Sequence, residues 1–286
     1  VEVGDVKAPQ GATVVAARGL TALPAFVDMR VHLREPGFEY KEDIESGCRA
    51  AVAGGFAAVC CMPNTKPVTD NKYIVKYVKT RADEVGLAKV YPIAAITVGQ
   101  EGKQIAELGK LKAAGAVAFS DDGRPVENAQ TMRVALEYAK QFDALLISHC
   151  EELSLVAGGV INEGYTASEA GYRGITRASE EVMVAREIVL ADALSTKVHI
   201  AHISTEGSAR LIRDAKRAGI RVSCETCPHY FAATDELAAN GDPMAKVNPP
   251  LREERDREAI MRAIQDGTVD AIVTGHAPHA AHEKGA

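Results

Sequence analysis

Eight short runs of β-branched and small apolar residues recur along this chain, most of them followed by a longer stretch with helical spacing, and this alternation restricts the fold more than any other feature. The runs are Ala25 to Val31, Ala57 to Met62, Val90 to Ile96, Ala116 to Phe119, Leu145 to His149, Val198 to Ile203, Arg221 to Glu225 and Ala271 to Val273. Helical stretches lie between them at Asp43 to Ala53, Asn71 to Glu84, Ile105 to Ala114, Ala129 to Gln141, Ser179 to Ala193, Ser208 to Ala218 and Glu254 to Gln265. Eight strands separated by helices fit a closed (β/α)₈ TIM barrel, which typically takes about 250 residues. A doubly wound open sheet is the competing α/β architecture. It has no support from nucleotide-binding signatures: no Gly-x-Gly-x-x-Gly follows the first run, and no Walker-type lysine loop is present.

Residues 1–20 fall outside the barrel count and are expected to be the remnant of a small β-sandwich domain, with Ala12 to Ala17 as a strand; the barrel is expected to occupy 21–286. The sequence stops soon after the eighth run, before a helix could follow it, so the barrel is expected to be truncated at its C-terminal end.

The composition, 47% hydrophobic and 25% charged over 286 residues, is that of an ordinary globular chain. The 33 basic and 39 acidic residues leave a net charge of -6, and the basic ones are scattered, which argues against nucleic acid as a partner. No apolar run is long enough to span a bilayer and the first residues carry acids rather than a basic signal-peptide region, so a cytoplasmic location with no membrane partner is expected. Six cysteines are too sparse for a disulfide scaffold and read as reduced core residues. Cys224 and Cys227 form a single Cys-x-x-Cys spacing in an extended run, which supplies only half of a tetrahedral zinc site.

Chemistry in a barrel of this type gathers where strands end. Of the eight histidines, His32 follows the first run, His149 ends the fifth, His202 lies at the end of the sixth, and His276 and His279 follow the eighth. Asp122 stands just past the fourth. A lone histidine is commonly half-buried packing, but this set is repeated across separate strand ends. Imidazoles with a carboxylate suit zinc or a similar metal, and a bound hydroxide would serve as nucleophile. Neither His-Glu-x-x-His nor Gly-x-Ser-x-Gly is present.

Seven segments, Val27-Asp-Met-Arg-Val-His-Leu-Arg-Glu-Pro-Gly37, Cys61-Met-Pro-Asn-Thr65, Phe119-Ser-Asp-Asp-Gly123, Ser148-His-Cys-Glu151, Val198-His-Ile-Ala-His-Ile-Ser-Thr205, Val247-Asn-Pro-Pro-Leu-Arg252 and His276-Ala-Pro-His279, together resemble bacterial class I dihydroorotases of the amidohydrolase superfamily. The resemblance runs from about Leu20 to His279. It implies a metal-dependent hydrolase of cyclic amides that interconverts carbamoyl-aspartate and dihydroorotate in pyrimidine biosynthesis. It further implies metal ligands at His32, Asp122, His149 and His202, with Asp122 also a catalytic carboxylate, and substrate contacts from Arg34, Asn64, Asn248 and His279. A guanidinium such as that of Arg34 offers a planar fork to a carboxylate.

Two positions depart from the pattern. Arg30 stands where the first histidine of a His-x-His pair is expected, and Gly275 replaces an aspartate that would be both ligand and proton shuttle. A single zinc ion and slow turnover are therefore expected. The alternative is an inactive homologue that binds or scaffolds aspartate carbamoyltransferase; a homodimer is the other expected assembly.

Overall fold

The structure, a computed structural model, describes Gly4 and residues 6–284. Ten strands are formed among the described residues: β1 Phe26–Val31, β2 Phe56–Cys61, β3 Lys89–Ala94, β4 Ala118–Ser120, β5 Leu146–Ser148, β6 Ile161–Asn162, β7 Gly174–Ile175, β8 Val198–Ile200, β9 Val222–Thr226 and β10 Ala271–Ile272. Eight of them make one parallel sheet in the order β1-β2-β3-β4-β5-β8-β9-β10, and each corresponds to one of the eight runs anticipated from the sequence. The register pairs Val59 with Val90, Phe119 with Leu146, Ile147 with His199, and Glu225 with Ala271. The sheet curls until its ends meet. His32 N donates to His276 O at 2.8 Å, and the Thr274 amide reaches the Asp28 carboxylate at 3.3 to 3.4 Å, so the segment after β10 closes on β1. The chain is thus a TIM barrel.

The helices are α1 Ile44–Ala53, α2 Lys72–Val85, α3 Leu108–Ala114, α4 Ala129–Lys140, α5 Leu153–Val156, α6 Tyr165–Ala170, α7 Ala178–Ala193, α8 Glu206–Arg217, α9 His229–Ala232 and α10 Glu254–Gln265. Parallel strands need such crossovers, and their outward side chains pack beneath them. Phe119, Leu136, Leu146, Met183, Ile200, Ile212 and Ile260 belong to one buried cluster between sheet and helices. Alternate strand residues face the other way, and Met62, Ile93, Ala118, Ile147 and Ala201 form a smaller cluster.

Local chemistry sets the helix starts. Asp43 and Ser46 form a capping box at α1, and the Asn71 carboxamide accepts from the amides of Tyr73 (3.0 Å) and Ile74 (3.3 Å) at α2. Replacing Asn71 by alanine is expected to lower stability by about 1 kcal/mol, whereas Asn71→Asp keeps the acceptor and most of the stability. Denaturant midpoints of the two variants check this, and equal midpoints would refute the cap.

Two expectations are corrected. Ala12 to Ala17 forms no strand: Val14 and Val15 are 75% and 82% exposed, because a strand is stable only with a partner for its ladder. Val1–Val3 and Asp5 of that segment lie outside the described residues. The third helix begins at Leu108 rather than Ile105, since Ile105 pairs in an antiparallel bridge with Thr97. The connection between β5 and α7 also holds a small sheet, β6 with β7, that no periodicity announced in so short a pair.

Candidate metal and substrate site

Four strands deliver the polar cluster to one end of the barrel. His32 follows β1, Asp122 follows β4, His149 follows β5 and His202 follows β8; all four are at most 4% exposed. The side chains meet at Asp122. Its Oδ1 lies 3.1 Å from His149 Nδ1 and 3.3 Å from His202 Nε2, its Oδ2 lies 3.3 Å from His32 Nε2, and His149 Nδ1 stands 2.8 Å from His202 Nε2. Asp122, His149 and His202 each offer a ligand atom within 4.8 Å of the others, a grouping able to hold a metal ion. His202, with φ of 36°, and Arg34, with φ of 65°, occupy the left-handed region, a strain that costs on the order of 1–3 kcal/mol each and collects at functional sites.

The hydrogen bonds around the cluster leave electron pairs pointing inward. Glu151 Oε2 accepts from His149 Nε2 at 2.9 Å and Asn64 Oδ1 accepts from His32 Nδ1 at 2.7 Å, so each ring turns its other nitrogen toward the Asp122 carboxylate. Two ring nitrogens and a carboxylate oxygen converging in this way offer a cation three ligand atoms. Burial disfavours a charged His149, but the Asp122 and Glu151 carboxylates outweigh it and raise the imidazole to about 9. Burial, together with the Arg30 guanidinium, pushes His202 down to about 3. A metal ion would displace the His149 proton, as metal binding to imidazole ordinarily does. The donor set therefore fits a bound metal ion.

Arg30 is the second cation of the site. Its Nη2 donates to both oxygens of Asp122, at 3.0 and 2.9 Å, and the residue is 6% exposed. Burial works against the Asp122 charge, yet Arg30 and the imidazoles hold its carboxyl well below the usual range. Gly275 lies beside it with φ of 67°. A Cβ there would stand 2.9 Å from Cys227 Sγ and 3.6 Å from Arg30 Nη1, so the missing side chain leaves room for the guanidinium.

A cavity of about 360 Å³ opens on this end of the barrel, lined in part by Arg30, Cys227, His229, Asn248, Gly275 and His279. The four anticipated substrate contacts are not brought together in one arrangement. Asn248 and His279 line the cavity; Asn248 also donates to Glu151 at 3.2 Å. Arg34 sits behind His279, with Nη2 3.4 Å from His279 Nε2 and Nε donating to Pro278 O at 3.1 Å. Asn64 is engaged by His32. Sequence reasoning passed over Glu151, which fixes the His149 ring, and His229, which lines the cavity. His229 follows β9, so the strand-end criterion could have found it; the His-x-Glu spacing of His149 and Glu151 was the signal for the other.

A family model described as dihydro-orotase-like matches residues 19–208. The chain is 55% identical over 277 residues to a dihydroorotase of Pelobacter propionicus, an alignment covering 97% of this chain and 65% of that protein. It is 53% identical over 284 residues to a dihydroorotase of Acetivibrio thermocellus, covering 99% and 66%. It thus spans just under two thirds of the length of these relatives. Among solved structures, the L-hydantoinase (dihydropyrimidinase) from Arthrobacter aurescens superposes with a TM-score of 0.78 at 20% identity, over 91% of this chain and 59% of that one. A D-hydantoinase from Bacillus sp. AR9 superposes with a TM-score of 0.68 at 22% identity, over 90% and 59%. These two similarities concern the fold.

Proposed function

From the premise that this chain belongs to the dihydro-orotase-like family, we propose that it is a zinc-dependent cyclic amide hydrolase acting on carbamoyl-aspartate and dihydroorotate. The observation that carries the proposal is the inward convergence of Asp122, His149 and His202. These three residues would hold a single ion, whose donors of nitrogen and carboxylate oxygen suit zinc. When bound, zinc supplies Lewis acidity and lowers the pKa of a coordinated water toward neutrality.

The protein's own groups do the rest. Glu151 and Asn64 fix the ring orientations of His149 and His32. His279, backed by Arg34, and Asn248 present donors to the substrate carboxylate at the cavity wall. Asp122 serves as the catalytic carboxylate at the junction of the cluster, and Gly275 offers no group to carry a proton to the departing ring nitrogen. Binding therefore exceeds conversion. No helix among the described residues is long and apolar enough to cross a membrane, and all six cysteines are free thiols, in keeping with the reducing cytoplasm.

Purified protein is expected to hold one zinc per chain and to bind carbamoyl-aspartate. His149→Ala removes one of three ligands and is expected to abolish the zinc content. Elemental analysis of both proteins tests this; unchanged zinc in the variant, or a second ion at full occupancy beside Arg30, would refute the assignment.

A further inference from the structure

Arg30 has no part in the function proposed above, yet it is the most deeply placed cation on the cavity wall. Its Nη2 is committed to Asp122. Its Nη1 has no acceptor among the described residues, and Arg30 lines the cavity beside Gly275, whose lack of a side chain leaves that nitrogen uncovered. Lys246 and Lys284 also line the cavity. Glu283 is the acid of the lining, and it is already engaged by Lys41 at 2.7 Å and by the Tyr40 hydroxyl at 2.9 Å. The cavity thus joins a buried guanidinium edge to a surplus of positive charge.

We propose that Arg30 Nη1 is an anchor for a second ligand carboxylate, so that the cavity selects open-chain N-acyl-aspartates over neutral or cyclic forms. This inference rests on the cavity being the carbamoyl-aspartate pocket. The open-chain ligand carries two carboxylates. Ring closure turns its side-chain carboxylate into an amide carbonyl, which keeps an acceptor but loses the charge. In a site shielded from water, a guanidinium N–H discriminates between these states because hydrogen bonds to ionised acceptors are roughly twice as strong as neutral ones. Arg30 is permanently charged, so the preference holds across the ordinary pH range. It also gives Gly275 a use: any side chain there would crowd the approach to Nη1.

Calorimetric binding of N-acetyl-aspartate and N-acetyl-asparagine tests the proposal. The two ligands are nearly isosteric, differ in having a charged side-chain carboxylate or a neutral carboxamide that keeps one acceptor oxygen, and lack the carbamoyl nitrogen needed for ring closure. The unaltered protein is expected to prefer N-acetyl-aspartate by at least about tenfold, the contribution of one hydrogen bond to a charged group. Arg30→Gln should bring that ratio close to one, whereas Arg34→Gln should weaken both ligands alike and keep it. If Arg30→Gln does not fold, Gly275→Ala replaces it, since its methyl group would stand 3.6 Å from Nη1 and should also lower the ratio. A ratio near one in the unaltered protein, or a ratio that survives in folded Arg30→Gln or Gly275→Ala, overturns the role of Arg30. Failure of carbamoyl-aspartate itself to bind the unaltered protein would instead sink the pocket assignment on which the role depends.

Discussion

Gly275→Asp combined with Arg30→His is expected to raise the turnover number for carbamoyl-aspartate by at least about 100-fold, the lower end of what a positioned acid or base contributes. Closing the ring of carbamoyl-aspartate forms a bond between the carbamoyl nitrogen and the side-chain carboxylate carbon; the nitrogen loses a proton and a carboxylate oxygen leaves as water, and a carboxylate at position 275 would relay that proton. Gly275→Asp alone should gain little. Its Cβ would lie 3.6 Å from Arg30 Nη1, so the new carboxylate would pair with the guanidinium instead of serving the substrate, and the Cys227 thiol, 2.9 Å away, must swing aside. Arg30→His removes the competing charge and places a neutral ligand type where a guanidinium cannot bind metal. Because Arg30 is also the proposed carboxylate anchor, the double variant should show a higher KM together with the higher kcat. Steady-state kinetics of the four proteins separates these effects, and a double variant no faster than the unaltered chain would show that position 275 has no role in proton transfer.

Asp122→Ala is expected to destabilise the metal-free protein by about 3–5 kcal/mol, the usual consequence of removing one partner of a buried ion pair. The Asp122 side chain is fully buried and Arg30 is its nearest cation, at 2.9 Å. Without the carboxylate, the guanidinium keeps its charge and has no compensating acceptor, its Nε being already buried without a partner. Adding Arg30→Met should restore most of the loss, because it deletes the stranded charge while filling similar volume. Urea unfolding in the presence of a chelator measures the cycle. Purely additive losses in the double variant would mean that the pair is not coupled and that Asp122 is held by its imidazoles alone.

The order and approximate positions of the main strands and helices were legible in the chain, because they follow from local causes: the period of apolar residues, and caps such as Asn71 whose hydrogen bonds span three residues. The α/β alternation, the eight parallel strands and the gathering of His32, Asp122, His149 and His202 at strand ends all follow from that local order, since a parallel sheet carries every strand's carboxyl end to the same side. Where a segment needed a partner, local order misled: Ala12 to Ala17 looks like a strand and is none, because no neighbour completes its ladder. Only the tertiary structure decided what the two odd residues do. Arg30 and Gly275 lie 245 positions apart, and nothing in their own neighbourhoods says that one makes room for the other. Folding sets the guanidinium on Asp122, sets Asn64 against His32, and puts Arg30 in the cavity lining. Such contacts depend on which side chains share a buried volume once the barrel closes, and that volume is a property of all eight strands together.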